Sequence, residues 1–157
     1  MTGKSSGCLT MTELFNTPFE TSLRVLLTLR VFGEAMTLDK IAAADFMTIY
    51  ARDFSLAAYN LNGDNSLSFS EVASKRVLVG KAIKQLVLNR LVSAVQNRSG
   101  FTYEITAQGA HICDELTSDY TDEYIVMSQA VCKYLEDKSE VEILAEINKR
   151  ALRGKEE

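Results

Sequence analysis

The sequence contains one proline, one histidine, three cysteines and no tryptophan in 157 residues. It has no apolar run of about 18 or more residues, so we expect no membrane-spanning helix. No apolar stretch of signal-peptide length follows the polar first ten residues. Charged residues make up 24% of the chain, which is typical of a globular protein and excludes wholesale disorder. We therefore expect a cytoplasmic protein with one domain, or with one domain and a helical extension.

The scarcity of histidine and cysteine restricts the possible chemistry. Cys8, Cys113 and Cys132 have no CxxC spacing, so we expect three free thiols and no metal site of the Cys or His type. His111 is the single histidine, and its carboxylate neighbour at i, i+4 is Glu115. We predict no catalytic residues, no cofactor and no metal, and the composition favours a binding or assembly protein over an enzyme.

Capping signals bound the first two predicted helices. Thr17 is a good N-cap before Pro18, Glu20 completes a capping box, and an apolar run over residues 19–32 ends at Gly33. This helix is apolar on most sides, so we expect it at the centre of the fold. A second helix is predicted to open at Thr37-Leu38-Asp39-Lys40 and to extend to about Phe54.

A long third helix follows a polar loop at residues 60–68. Ser70 is the expected cap at its start, and Asn89 is expected in the left-handed conformation at its end. Two alternating runs within residues 91–106 flank Asn97-Arg98-Ser99-Gly100, which predicts a β-hairpin.

Helical spacing resumes after the hairpin. Thr106 is expected to cap a fourth helix that contains Gly109 in its first turn, and a break is expected at residues 117–119. Ser139 and Glu142 form a second capping box before a last helix.

The order of elements predicts a mainly α protein with a winged-helix-like domain, a β-hairpin wing and a C-terminal helical extension. Residues 86–109 carry this prediction, because a long helix leads through Leu91-Val92 and the hairpin to Thr106-x-x-Gly109. The predicted division is a flexible N-terminal tail at 1–12, the winged-helix-like domain at 13–117, the helical extension at 118–153 and a tail at 154–157.

Charge is segregated along the chain. Residues 71–98 contain six basic residues against Glu71, and residues 104–146 contain eleven acidic residues against two lysines, although the whole chain carries a net charge of −4. The basic residues fall on the helix and hairpin that a winged-helix protein uses to bind DNA. A solvated surface, docking to a partner protein and DNA contact remain open as interpretations. The candidate contact residues are Lys75, Arg76, Lys81, Lys84, Arg90 and Arg98.

The segment Asn60–Glu71 has the length and the alternating oxygen-bearing residues of an EF-hand calcium loop. It departs from that pattern at its first position, where Asn60 replaces aspartate, and at its sixth, where Asn65 stands in place of glycine. We therefore favour an ordinary polar loop over a calcium site.

Three sequence blocks together resemble the middle component of bacterial ABC-three-component anti-phage defence systems, the group that includes Lamassu. The resemblance covers about residues 13–135, and its most specific part is the first block. The blocks are Phe15-Asn16-Thr17-Pro18-Phe19-Glu20 with Leu23-Arg24, then Leu38-Asp39-Lys40-Ile41 through Asp45-Phe46, then Lys75-Arg76 with Ala82-Ile83-Lys84 and Leu91-Val92 leading to Phe101-Thr102-Tyr103-Glu104-Ile105-Thr106.

The resemblance implies a non-catalytic accessory or adaptor subunit. Such a subunit works beside an SMC/Rad50-like ATPase and an effector, often a nuclease, and meets DNA through the complex. The resemblance carries over no catalytic residue. The alternative from the basic helix is a free-standing winged-helix regulator that binds DNA.

Overall fold

The computed structural model describes residues 18–61, 69–98 and 100–156. Within these ranges the protein is mainly α-helical with one antiparallel hairpin, which confirms the predicted class. No helix in the described ranges is long and apolar enough to cross a membrane. The elements are α1 (Pro18–Phe32), α2 (Leu38–Ile49), a 3-10 turn (Ala51–Phe54), α3 (Phe69–Leu88), β1 (Val92–Asn97), β2 (Gly100–Ile105), α4 (Ala107–Glu115), α5 (Asp119–Leu135) and α6 (Glu140–Glu156).

Some of the predictions fall wholly or partly outside these ranges. They are the tail at residues 1–12, the Thr17 cap, the thiol of Cys8, most of the Asn60–Glu71 loop, and the last residue. At the edges of that loop, the side-chain oxygen of Asn60 accepts a hydrogen bond from the Arg52 amide at 2.9 Å. Glu71 lies within 3.5 Å of the Tyr50 hydroxyl.

Local signals place the ends of the first two helices correctly, with one exception. α1 begins at Pro18, and Gly33 follows it with φ of +65° while its amide donates to the Leu29 carbonyl at 3.0 Å. This is the left-handed C-terminal cap that glycine favours. Thr37 caps α2 by accepting a hydrogen bond from the Lys40 amide. The expected continuation to Phe54 is wrong, because the chain tightens into the separate 3-10 turn after Ile49.

The ends of α3 both differ slightly from prediction. The helix begins at Phe69, so Ser70 lies inside its first turn and is not the cap. At the other end Arg90, not Asn89, has the left-handed conformation, with φ of +63°. The Leu91 amide donates to the Leu86 carbonyl at 2.9 Å, and the Arg90 amide donates to Val87 at 3.0 Å. This pair of bonds defines a Schellman cap, whose geometry puts the left-handed residue one position later than expected.

The hairpin is joined to the helices by backbone hydrogen bonds. Its register runs from Val92 opposite Ile105 to Asn97 opposite Gly100, as the turn signal predicts. Met36, between α1 and α2, forms an isolated antiparallel bridge with Tyr103. Its amide and carbonyl each bond to Tyr103, at 2.9 and 2.8 Å. The segment before α2 therefore fixes β2, which lies between Met36 and β1, to the body of the protein.

Thr106 and Gly109 fix α4 against the end of α3. The Thr106 hydroxyl lies 3.0 Å from the Gly109 amide and 2.9 Å from the Arg90 carbonyl. A Cβ atom on Gly109 would lie 2.3 Å from the Leu91 carbonyl oxygen, so only glycine allows this approach without movement. The predicted Thr-x-x-Gly cap is therefore confirmed, and its glycine has a packing role.

The C-terminal helices complete the core of the domain. The break predicted near residue 118 is present, since the Ser118 side chain caps α5 by accepting from the Thr121 amide. The Ser139–Glu142 capping box is also present, with bonds of 2.9 and 3.2 Å. Residues of α5 and α6 belong to the same hydrophobic cluster as α1, α2 and α3. They are Tyr124, Val131, Leu135, Ile143 and Ile147.

Candidate functional site

The six predicted contact residues occupy different environments. Lys75 is only 9% exposed, and burial lowers the pKa of its ammonium group. Its inward position on α3 removes it from the candidate contact surface. Arg76 is on the surface, but its Nε lies 2.6 Å from Oδ1 of Asp39. The remaining four residues, Lys81, Lys84, Arg90 and Arg98, are exposed.

A groove of about 690 Å³ lies between α1, α3 and α4, and we call it the basic-rimmed groove. Lys81 and Lys84 are exposed at its edge, and Gln85 and Asn89 add polar groups beside them. Most of the lining is apolar, which is the usual composition of a binding site with a few polar groups for orientation. Its apolar side chains are Phe19, Leu23, Leu26, Ala82, Leu86, Leu91, Ile112 and Leu116.

A second hollow of about 390 Å³ lies between α3 and the hairpin, on the other side of Lys84. Leu88 and Phe101 line it and are 73% and 51% exposed. Lys84 lines both hollows, so an exposed cation stands between two apolar depressions. We call this combined region the α3 face. Adjacent exposed apolar surfaces of this kind mark interaction sites on soluble proteins.

A third depression of about 440 Å³ lies between α5 and residues 56–59, and we call it the acidic-rimmed groove. Its charged lining residues are Asp122 and Glu123, and the Tyr59 hydroxyl donates a hydrogen bond to Glu123 at 2.5 Å. Val126 lies in it and is 64% exposed. The other apolar lining residues are Leu56, Ala57, Met127 and Ala130.

A buried polar network lies beneath these surfaces. Nε of Arg24, on α1, donates to Oδ1 of Asp45, on α2, at 2.9 Å. The Tyr124 hydroxyl, on α5, donates to the same oxygen at 2.7 Å and lies 2.9 Å from the Thr28 hydroxyl. All four residues are buried. The network therefore fixes the relative positions of α1, α2 and α5.

Burial of the network changes the acid–base properties of its neighbours. Desolvation raises the pKa of Glu20 to about 7, although the Arg24 guanidinium opposes that shift. Desolvation and the adjacent Asp45 carboxylate hold the pKa of Tyr124 well above its usual value, so this hydroxyl stays protonated and can donate. The sequence does contain a signal for the network: Arg24 interrupts a helix that is apolar on most sides, and Asp45 shares the apolar spacing of α2.

Neither His111 nor Cys113 lines the grooves just described, although Ile112 between them lines the basic-rimmed groove. His111 is exposed, with Nε2 3.6 Å from Oε1 of Glu115, which is the surface pair that the spacing predicts. Cys113 is buried, and desolvation raises the pKa of its thiol to about 11, so it stays protonated at neutral pH. Among the described residues, no group of three or more His, Cys, Asp or Glu side chains is placed to hold a metal ion.

These observations define a small, mainly α protein with a paired hairpin and exposed apolar grooves whose rims differ in charge. The chain belongs to the family described as ABC-three component (ABC-3C) system Middle Component 2, which it matches over residues 14–157. It is therefore a component of an ABC-three-component system. No curated protein and no solved structure matches the chain. The resemblance to a middle component is confirmed, and its narrower Lamassu part stays a prediction.

Proposed function

We propose that this chain is a non-catalytic adaptor subunit of an anti-phage defence complex. It joins an SMC/Rad50-like ATPase to an effector, which is often a nuclease, and helps to regulate that effector. The α3 face carries the proposal, because exposed Leu88 and Phe101 lie beside exposed Lys84. A surface with large apolar side chains and few charges is suited to a protein partner, whose own apolar groups it would remove from water.

The topology favours a winged-helix domain as the scaffold for this surface. Three helices precede the hairpin, as in proteins of that architecture. The bridge between Met36 and Tyr103 adds a one-residue third strand to the hairpin and supports the same assignment. In this arrangement α3 is the helix that would enter a DNA groove, and the hairpin is the wing.

DNA contact by a free-standing winged-helix regulator is the second candidate function. Lys81, Lys84, Arg90 and Arg98 favour it, because exposed cations on this helix and wing could pair with phosphates. The net charge of −4 and the exposed apolar side chains favour a protein partner instead.

Co-purification of the three components tests the proposal. The tagged chain should retain the ATPase component when the whole system is co-expressed. Lys81→Glu with Lys84→Glu, or Leu88→Glu alone, should abolish that retention, because each change puts carboxylates on the α3 face. Lys133→Glu with Lys149→Glu makes the same change in net charge at exposed positions on α5 and α6, and Val141→Glu is the matched control for Leu88→Glu.

The same variants discriminate the two functions. If the Lys81/Lys84 variant keeps the ATPase but loses DNA binding, the α3 face binds DNA and the regulator function is correct. DNA binding of that kind would weaken steeply with salt. If the wild-type chain fails to retain the ATPase at moderate salt, the adaptor proposal is wrong.

A further inference from the structure

The acidic-rimmed groove differs from the α3 face in sequence, composition and charge. It is formed by residues 56–59 and by α5, and no residue that lines it also lines the α3 face. The α3 face has lysines at its edge, whereas the charged groups of this groove are two carboxylates. A ligand that complements one surface is therefore repelled electrostatically by the other.

We infer that the acidic-rimmed groove is a second docking site, and that it binds a basic amphipathic segment of a partner protein. The apolar lining would receive the hydrophobic side chains of that segment, while Asp122 and Glu123 would pair with its lysine or arginine residues. Val126 supports this inference, because a valine that is 64% exposed stands in the groove and gains burial when a partner covers it.

The groove is held in shape before any partner binds. Tyr59 forms part of its wall, and its hydroxyl donates to Glu123, which connects residues 56–59 with α5. Tyr124, the next residue of α5, is fixed to Asp45 in the buried network. Both connections limit the movement of α5, so a ligand would not have to order this part of the surface.

Charge complementarity determines the choice of ligand. The first turn of α5 adds Asp119 to Asp122, and Glu123 follows, so this end of the helix presents three carboxylates. Cationic groups are attracted here, and phosphates are repelled. The groove is concave, so it needs a protruding occupant such as a helix. The basic-rimmed groove of a second copy is itself concave and is a poor match.

Two synthetic peptides test the inference on the intact chain. One is an 18-residue amphipathic helix of leucine and lysine, and the other has glutamate in place of lysine; both carry a fluorescent label. We expect the leucine–lysine peptide to bind, as measured by fluorescence anisotropy. Val126→Asn, and separately Asp122→Lys with Glu123→Lys, should each reduce its affinity. Val126→Asn should weaken binding by about tenfold through loss of apolar contact without a change of charge, and the charge reversal should weaken it by about tenfold or more through repulsion.

Matched controls separate the groove from overall charge. Glu136→Lys with Asp137→Lys makes the same change in net charge at exposed positions near the end of α5, and should leave affinity within about twofold of the wild type. Val141→Asn is the control for Val126→Asn, since Val141 is 78% exposed on α6. Far-UV circular dichroism should give the same helix content for all variants.

Several results would overturn the inference. Equal losses in the two double-lysine variants would show that the peptide responds to net charge and not to the groove. Preference for the leucine–glutamate peptide at this groove would reverse the assigned ligand chemistry. Self-association of the wild type that Val126→Asn removes would make a second copy the occupant. Failure here is distinguishable from failure of the adaptor proposal, because these measurements involve no ATPase.

Discussion

The Tyr124 hydroxyl donates to Oδ1 of Asp45 over 2.7 Å, and this bond links residues 79 positions apart. The same carboxylate oxygen accepts from Arg24, so the buried Asp45 side chain, on α2, is hydrogen-bonded to both α1 and α5. Buried charges of this kind are costly to isolate, because the partner left behind loses its counter-ion without regaining water.

Asp45→Asn should therefore destabilise the protein strongly. The amide keeps the shape of the side chain but removes the carboxylate that pairs with the buried Arg24 guanidinium, at a cost of about 3–5 kcal/mol. Urea unfolding followed by circular dichroism measures the change. Asp39→Asn on the same helix is the control, because the Asp39–Arg76 pair is on the surface and its loss should cost only about 1 kcal/mol or less. Equal losses in the two variants would contradict the assigned role of Asp45.

Two glycine-to-alanine changes should have opposite signs. Gly109→Ala places a Cβ atom 2.3 Å from the Leu91 carbonyl oxygen, so α4 must shift and stability should fall by about 1–3 kcal/mol. Gly80→Ala lies inside α3 with its nearest contact at 3.8 Å, so it should stabilise by about 0.5–1 kcal/mol. Thermal unfolding of both variants under the same conditions measures the two changes in stability. A stabilising Gly109→Ala would disprove the close approach of α4 to the Leu91 carbonyl.

Glu20 should make stability depend on pH. Its folded pKa, about 7, lies above the unfolded value near 4.5, so the folded state holds the proton more tightly. This contribution to stability is complete below about pH 4.5 and is lost as the pH rises through about 7. Its size is on the order of 3 kcal/mol. The unfolding free energy of the wild type minus that of Glu20→Gln should therefore decrease between pH 5 and pH 8. A flat difference would show that Glu20 titrates normally.

His111→Ala should have little effect. The His111–Glu115 pair is exposed on α4, and a surface pair at this spacing contributes no more than about 0.5 kcal/mol. If the chain acts in an anti-phage complex as proposed, plaque formation by phage on cells that carry the variant should be unchanged, with protein level and complex assembly verified. Loss of resistance by a folded, assembled variant would mean that the subunit has a catalytic role.

Local features of this fold are predictable from the sequence, because the interacting groups lie within a few residues of each other. Gly33, Thr37 and Thr106 each satisfy backbone groups of the adjacent helix turn, and their residue types indicate this. At the end of α3 the left-handed conformation is adopted by Arg90 and not by the predicted Asn89, and the cause is tertiary. Leu91 packs against the hydrophobic core and donates to Leu86, and that bond selects the residue that turns.

The candidate surfaces were only partly predictable. A count of charges along α3 treats Lys75 and Lys84 alike, although one is buried and the other is exposed. The acidic-rimmed groove forms where residues 56–59 contact α5. These segments are more than 60 positions apart, and periodicity along the chain does not predict a contact over that separation. Arg24 and Asp45 were visible as charges in apolar helices, but their pairing depends on how α1 and α2 pack.

The separation of Asp45 from Tyr124 also has a consequence for synthesis on the ribosome. At about 5–20 residues per second, roughly 4–16 seconds pass between translation of the two residues. During that interval α1 and α2 exist without the hydroxyl donor and without the apolar side chains of α5. The nascent chain must hold its first two helices in a partly assembled state, and the core closes only after α5 has left the exit tunnel.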